Sequence, residues 1–281
     1  MTIGIFTNHE RDINSLATKT LIELISPHNI EVLLCSELKD SGINLEYCES
    51  NDELVSRSDI VVIFGGDGTI LRIAKVCALH NTKIFAVNLG NIGFLAETEK
   101  VDMLEKTRLI LNGNYTIENR SILKAECAGV NLGYALNEVV VGRDVLSKLL
   151  RCEVYVNNSM LDAYHSDGII IATPTGSTAY SLSAGGPLVE PDVDAIIVTP
   201  ICPHTLHSRP LIVKSSKTIS VKILANSSDA RVNLDGDASY PFKPGNIIKI
   251  SYADIVAKFI RLKGYDYFAK LREKISYMTL H

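Results

Sequence analysis

Residues Phe64-Gly65-Gly66-Asp67-Gly68-Thr69 set three glycines around one acid, between an apolar run at 60–64 and a helical pattern over 68–80. Glycine loses the most conformational freedom on ordering, so three at a strand end imply that the backbone must approach something closely. The free N–H groups and positive dipole end of the following helix suit phosphate. A carboxylate repels phosphate, so Asp67 fits a general base on a hydroxyl, or a group that meets phosphate through a cation. An N-cap in a tight strand-to-helix turn is a third reading of the same residue. The spacing is neither G-x-G-x-x-G nor a Walker A loop, so it does not announce a Rossmann dinucleotide site or a P-loop.

A second glycine-rich loop, Asn88-Leu89-Gly90-Asn91-Ile92-Gly93-Phe94-Leu95, follows the apolar run at 84–87. Open α/β sheets place ligands at such strand ends, and Phe94 suits the wall of a site for a planar group. Further on, Ala135-Leu136-Asn137-Glu138-Val139-Val140 puts two polar side chains inside what reads as one strand over 134–141. Adjacent strand residues face opposite sides, so burial of either requires partners. The pair reads ribose or base edges, or it marks a strand end or bulge. The longest stretch without Asp, Glu, Lys or Arg runs over 168–189, just after His165-Ser166-Asp167. Its Thr, Ser, Gly and Pro content excludes a membrane helix. Hydroxyls and backbone N–H groups without charge suit the neutral base and ribose of a nucleotide. No G-x-S-x-G elbow, H-E-x-x-H helix or EF-hand loop is present.

These residues must be positioned by two kinds of scaffold. Up to about residue 115, apolar runs at 3–6, 30–34, 60–64 and 84–87 alternate with helical patterns at 16–25, 68–80 and 101–111. That pattern predicts an α/β domain, a mostly parallel sheet with helices on both faces. From 116 to 261 short alternating or β-branched runs follow one another between turn residues, which predicts a largely antiparallel, β-rich domain. The segment 262–281 contains an amphipathic helix over 267–277, with Phe268, Leu271 and Ile275 on one face, suited to packing back on the first domain.

The composition narrows the function classes. With 28 Lys+Arg against 32 Asp+Glu the net charge is −4, and no basic stripe argues for a nucleic-acid partner. A hydrophobic fraction of 46% is enough for a core without disulfides or structural metal. The N-terminal residues MTIGIFTN lack the basic-then-apolar pattern of a secretory leader. Of the six cysteines none forms C-x-x-C, and Cys35, Cys77 and Cys202 lie in or beside apolar runs, as buried free thiols do. A reducing, cytoplasmic location and no membrane partner are expected.

The elements FGGDGT, NLGNIGFL, ALNEVVV, SDGIIIATPTGSTAYSLSAGGP and TPICPHTLHSRPL, in this order and spacing, resemble the bacterial NAD kinases. The GGDGT element also occurs in diacylglycerol- and sphingosine-type lipid kinases, whereas the Asn-Glu pair and TPTGSTAYSLSAGGP are much more specific. The resemblance implies an NAD-kinase-like two-domain fold with NAD in the crevice between the domains, and a homotetramer or homodimer. It implies transfer of the γ-phosphoryl group of ATP, and in some relatives of polyphosphate, to the 2′-hydroxyl of the adenosine ribose of NAD, with Mg²⁺ or another divalent metal. By the same resemblance Asp67 is the general base, and Gly66 and Gly68 allow close approach of substrate and phosphates. Phe94 packs near adenine, and Asn137 and Glu138 bond the adenosine portion. Asp167 holds the nicotinamide side, while Thr178, Ala179, Tyr180 and Ser183 frame the adenine pocket with Thr175 in the same loop. His165 stands where many relatives have arginine, Asp237 where they often have Gln or His, and Lys148 where some contact the dinucleotide. Arg209 and His204 match a family motif and read first as structural or interface residues. A lipid kinase and a non-catalytic NAD sensor on the same scaffold are the alternatives; the first would need an apolar acceptor pocket, the second would not need Asp67.

Overall fold

The computed structural model describes the chain except residues 91–92, 145–147, 206, 228 and 281, and the side chains of 277–280. Asn91 and Ile92 of the second glycine-rich loop, and Leu206 of the TPICPHTLHSRPL element, therefore lie outside the described residues. The chain divides into two compact units, Met1–Asn119 with Ala257–His281, and Arg120–Val256.

The first unit contains β1 (Thr2–Thr7), α1 (Leu16–Ile25), β2 (Glu31–Leu34), β3 (Glu46–Tyr47), α2 (Asn51–Ser56), β4 (Ile60–Gly65), α3 (Asp67–Leu79), β5 (Lys83–Asn88), β6 (Thr98–Glu99) and α4 (Met103–Leu111). Its strands run in the order β3-β2-β1-β4-β5, all parallel. All six residues of β4 are buried, which is why this strand reads as an unbroken apolar run rather than an alternation. The chain order reverses at β1 and β4, paired from Ile3↔Ile60 to Thr7↔Phe64. Loops leaving the carboxyl ends of two strands that wind in opposite directions diverge and open a crevice. The segment after β1 and the GGDGT loop after β4 both leave the sheet there. Helix α3 then packs on β4 and β5.

The second unit contains the greater part of β7 (Thr116–Cys127), then β8 (Val130–Ala135), β9 (Glu138–Arg143), β10 (Leu150–Val156), β11 (Ser159–Ser166), β12 (Gly168–Ala172), the one-turn α5 (Tyr180–Ser183), β13 (Ala195–Ile201), β14 (Leu211–Lys214), β15 (Ile219–Ile223), β16 (Ala230–Leu234), β17 (Ala238–Phe242) and the first part of β18 (Ile247–Arg261). The last residues of β18 belong to the first unit, where Lys258 and Phe259 pair in parallel with Lys83 and Ile84 of β5. A six-stranded antiparallel sheet runs β14-β13-β12-β9-β16-β17. Alternate residues such as Val139, Val141, Ile169, Ile171 and Val232 point to one core shared with β7, β8, β10, β15 and β18. The opposite face of β12 and β13, with Ile170, Ala172 and Ile197, is covered by the segment carrying Val189 and Ala184. This answers why a long uncharged segment follows β12: it seals the second apolar face of a central strand.

Three sequence expectations are corrected. The single strand expected over 134–141 is two strands, β8 and β9, separated by a bend at Leu136-Asn137 and assigned to different sheets. Cys202 is exposed, because β13 ends at Ile201 and the chain turns into a left-handed conformation at Cys202 (φ 44°); Cys35, Cys48, Cys77 and Cys152 are buried. Helix α6 (Tyr267–Leu280) forms, but Phe268 and Ile275 of its expected apolar face are exposed. Among the described residues no helix is long and apolar enough to cross a membrane.

Candidate active site

The first-unit site is built by the end of β4. Gly66, with extended backbone, is the N-cap of α3, and Asp67 is the first helical residue. Asp67 is therefore not a capping side chain. Its carboxylate leaves the helix and accepts N–H bonds from Phe94 (2.9 Å) and Leu95 (3.2 Å) of the second glycine-rich loop. The four glycines nearest it serve two ends. A Cβ on Gly65 would lie 2.4 Å from Thr69 Oγ1, and one on Gly93 would lie 2.3 Å from Asp67 Oδ1, so these two permit close packing. A Cβ on Gly68 would touch nothing, and one on Gly66 only Arg11 at 3.8 Å; these two leave space in front of the helix amides.

That space is a cavity of about 430 Å³ lined by Asn8, Arg11, Gly66, Asp67, Gly68, Thr69, Arg72, Gly93 and Lys274. Asp67 is the one acid among these lining residues, which also include two arginines and a lysine. Arg72 donates to Glu37 (2.6 Å) and lies over the Phe6 ring (5.4 Å). A carboxylate held by two amides, beside cations and helix N–H groups, can accept a proton from a hydroxyl while anionic oxygens are screened alongside. Gly93→Ala should displace the carboxylate or its loop. Since small misplacements of reacting groups are costly, we expect turnover to fall roughly 10–100-fold, measured as kcat beside a thermal melt. A folded variant at the parent rate would detach Gly93 from the site.

The second-unit site forms at the bend between β8 and β9. Asp235 Oδ1 and Oδ2 accept the N–H groups of Leu136 (2.8 Å), Asn137 (2.8 Å) and Glu138 (3.1 Å). The Asn137 carbonyl accepts from Thr173 N (2.9 Å), and a Cβ on Gly176 would lie 2.2 Å from that same oxygen. Asp235 and Gly236, both at positive φ, form the two central residues of the β16–β17 hairpin turn. The fold thus uses an Asp-Gly turn to hold the Asn-Glu pair. Glu138 is 7% exposed and its Oε2 is buried without a hydrogen-bond partner. Burial first, then the charge of Asp235, push its carboxyl up to about 8, against the pull of the Tyr180 backbone N–H. An orphaned buried carboxyl oxygen is a ready contact for a ligand hydroxyl or amine.

The raised value has a consequence for stability. Below pH 4.5 Glu138 is neutral in both folded and unfolded chains. Between pH 4.5 and about 8 the unfolded chain releases a proton that the folded chain keeps, so stability declines as pH rises, and above about 8 the loss is constant. Glu138→Gln should remove this part of the slope in urea midpoints taken from pH 5 to pH 9. Parallel profiles for the two proteins would contradict a buried, protonated Glu138.

The family model for the ATP-NAD kinase N-terminal domain matches residues 3–115, and that for the ATP-NAD kinase C-terminal domain matches 136–262. The chain belongs to the ATP-NAD kinase family. It is therefore an enzyme, a phosphotransferase. An NAD kinase of Thermoanaerobacter sp. (strain X514) is 40% identical over 98% of both chains. One from Acetivibrio thermocellus is 38% identical, covering 97% of this chain and 96% of its own. Among solved structures, an NAD kinase from Archaeoglobus fulgidus in complex with ATP superposes with a TM-score of 0.79 at 27% identity, over 97% of this chain and 99% of that one. Yeast NADH kinase complexed with NADH gives a TM-score of 0.89 at 24% identity, over 98% and 87%, a likeness of fold.

The remaining residues expected from the ATP-NAD kinase resemblance fall into two groups. Thr178 and Ala179 are half-buried, and Tyr180 and Ser183 are exposed, so all four present atoms at the surface of their unit. Thr175 is buried, with its hydroxyl accepting from Arg120 (3.2 Å), and so belongs to the scaffold of that loop. Asp167 pairs with Arg143 (3.1 Å). The half-buried His165 has its ring 5.7 Å from that of His204 and its carbonyl bonded to His204 N (2.8 Å). Lys148 and Asp237 are exposed, and Phe94 is half-buried in the first unit. The reading of residues missed Arg11, Arg72 and Lys274, whose spacing from Asp67 carries no motif, and Asp235, whose Asp-Gly turn was the available clue.

Proposed function

We propose that this chain transfers the γ-phosphoryl group of ATP to the 2′-hydroxyl of the adenosine ribose of NAD, giving NADP and ADP. The observation that carries this reading is Asp67, held by two loop amides in a cavity shared with Arg11, Arg72 and Lys274. Asp67 takes the hydroxyl proton as that oxygen bonds to the γ-phosphorus. The bond from phosphorus to the β–γ bridging oxygen breaks and ADP leaves with the electron pair. With no Walker lysine, Arg11, Arg72, Lys274 and the first amides of α3 screen the phosphates. Asn137 and Glu138, with Thr178, Ala179, Tyr180 and Ser183, recognise the adenosine part, and Asp167 the nicotinamide side. The first unit, which holds residues 1–115 and to which 262–281 return, then handles phosphate, and the second unit, within the expected 116–261, recognises the dinucleotide.

A divalent metal, with Mg²⁺ the first choice, fits as a companion of the nucleotide. Among the described residues no three His, Cys, Asp or Glu gather as a cage, whereas Mg²⁺ in kinases is held by one or two carboxylates and the substrate phosphates. Asp67 is the carboxylate placed to share it, and the ion would supply further neutralisation of phosphate charge. We also propose a cytoplasmic homotetramer or homodimer, on the strength of the resemblance and the free cysteines. The test is a coupled assay with NAD, Mg²⁺ and either ATP or polyphosphate. NADP is expected with ATP and should vanish with excess chelator, while the polyphosphate arm ranks the donors. Absence of NADP with both donors, from folded protein that binds NAD, would overturn the proposed reaction.

A further inference from the structure

We infer that Arg261 and Lys270 are positioning residues for Asp67: they hold the carbonyl side of the loop whose amide side grips the carboxylate. The inference rests on reading Asp67 as the base. Leu95 joins the two sides within one residue, since its N–H donates to Asp67 and its carbonyl accepts from Arg261 Nη1 (3.2 Å). Only the φ and ψ of Leu95 separate the two bonds, because the flanking peptides are planar. The next carbonyl, of Ala96, accepts from Lys270 Nζ. The residue after that, Glu97, is fixed through its carboxylate: Oε2 accepts from Arg261 Nη1 (3.2 Å) and Oε1 from Leu262 N (3.1 Å). Its own N–H donates to Ala86 of β5 (2.9 Å), tying the loop to the sheet.

Arg261 is itself held at Nε, at Nη1 and over the face of its guanidinium, while Nη2 is buried without a hydrogen-bond partner. Its side chain is 6% exposed, Nε donates to Glu118 (2.6 Å), and the guanidinium lies 4.1 Å from the Tyr265 ring centre. Buried ion pairs contribute little net stability over apolar packing, because desolvating the charges offsets their attraction. What such a cluster supplies is directional bonds, and here they end on consecutive residues of the segment that holds Asp67. Residues at 261–270 thereby set the geometry of a carboxylate nearly two hundred positions earlier in the chain. On α6 burial first, then the charge of Arg261, lower Lys270 to about 8, while Phe268 stays exposed.

The experiment is a double-mutant cycle on kcat and KM, with thermal melts to establish folding. Arg261→Lys keeps the charge but loses the fork, and should lower kcat roughly 10–100-fold with KM for NAD within about twofold. Lys270→Met, which leaves the Arg261–Glu97 pair intact, should lower kcat about 3–10-fold and carries the test if Arg261→Lys does not fold. In an Asp67→Asn background, followed by single turnovers, both effects should shrink to less than about threefold, because their target is gone. Folded variants with parental kcat, or equal losses in both backgrounds, overturn the inference while the base reading stands. Parental turnover in Asp67→Asn alone removes the base reading, and this inference with it.

Discussion

Asp67→Asn is expected to lose about 10²–10⁴-fold in turnover, the usual contribution of a positioned general base, while NAD still binds within a few-fold of the parent. The amide of Asn has the shape of the carboxylate but no comparable basicity. Its oxygen can accept one of the two N–H bonds from Phe94 and Leu95, whereas its NH₂ group would face the other as a second donor. Some displacement of the loop therefore adds to the chemical loss. Affinity is largely spared because the dinucleotide is assigned mainly to Asn137, Glu138 and the 178–183 segment. Single-turnover formation of NADP and calorimetric titration with NAD separate the two effects. Unchanged turnover would strike Asp67 from the mechanism.

Asp235→Ala is the second large effect, and it acts on stability and binding together. Three N–H groups, of Leu136, Asn137 and Glu138, lose their acceptor at once. A hydrogen bond to a charged group contributes about 1.5–3 kcal/mol, and three shared by one carboxylate are not additive, so a loss of about 3–5 kcal/mol is expected. Alanine is also strained at the left-handed φ of 52°, where asparagine is tolerated. Asp235→Asn should thus keep part of the stability, which isolates the lost bonds from backbone strain. With the bend released, KM for NAD should rise at least about tenfold, as expected when substrate-positioning groups lose their geometry. Urea melts and initial rates across NAD concentrations give both quantities. A KM within twofold of the parent in Asp235→Ala would show that the bend does not position the Asn-Glu pair for substrate.

The two predictions differ in how visible their residues are. Asp67 stands out in the sequence because three glycines and an acid between an apolar run and a helical period are costly unless they face a ligand. Asp235 does not, since Asp-Gly in a hairpin is ordinary turn chemistry. The apolar residues on either side of Asn137-Glu138 read as one strand by the same logic that correctly places β4 at the apolar run 60–64. Nothing within that segment announces the bend, whose stabilising carboxylate lies 97 to 99 residues away.

Period and composition determined the α/β first part, the antiparallel β-rich second part and the loop that carries Asp67, because helix and strand periodicities are local properties of side-chain order. Motif order pointed to the ATP-NAD kinase family for the same reason. Tertiary structure alone decided the rest: that Asp67 is gripped by the amides of Phe94 and Leu95, that Arg11 and Arg72 share its cavity, and that Arg261 and Lys270 reach back to the loop behind it. Those arrangements satisfy buried polar groups with partners distant in sequence. Which distant partner is chosen depends on the whole packed chain rather than on any window of it.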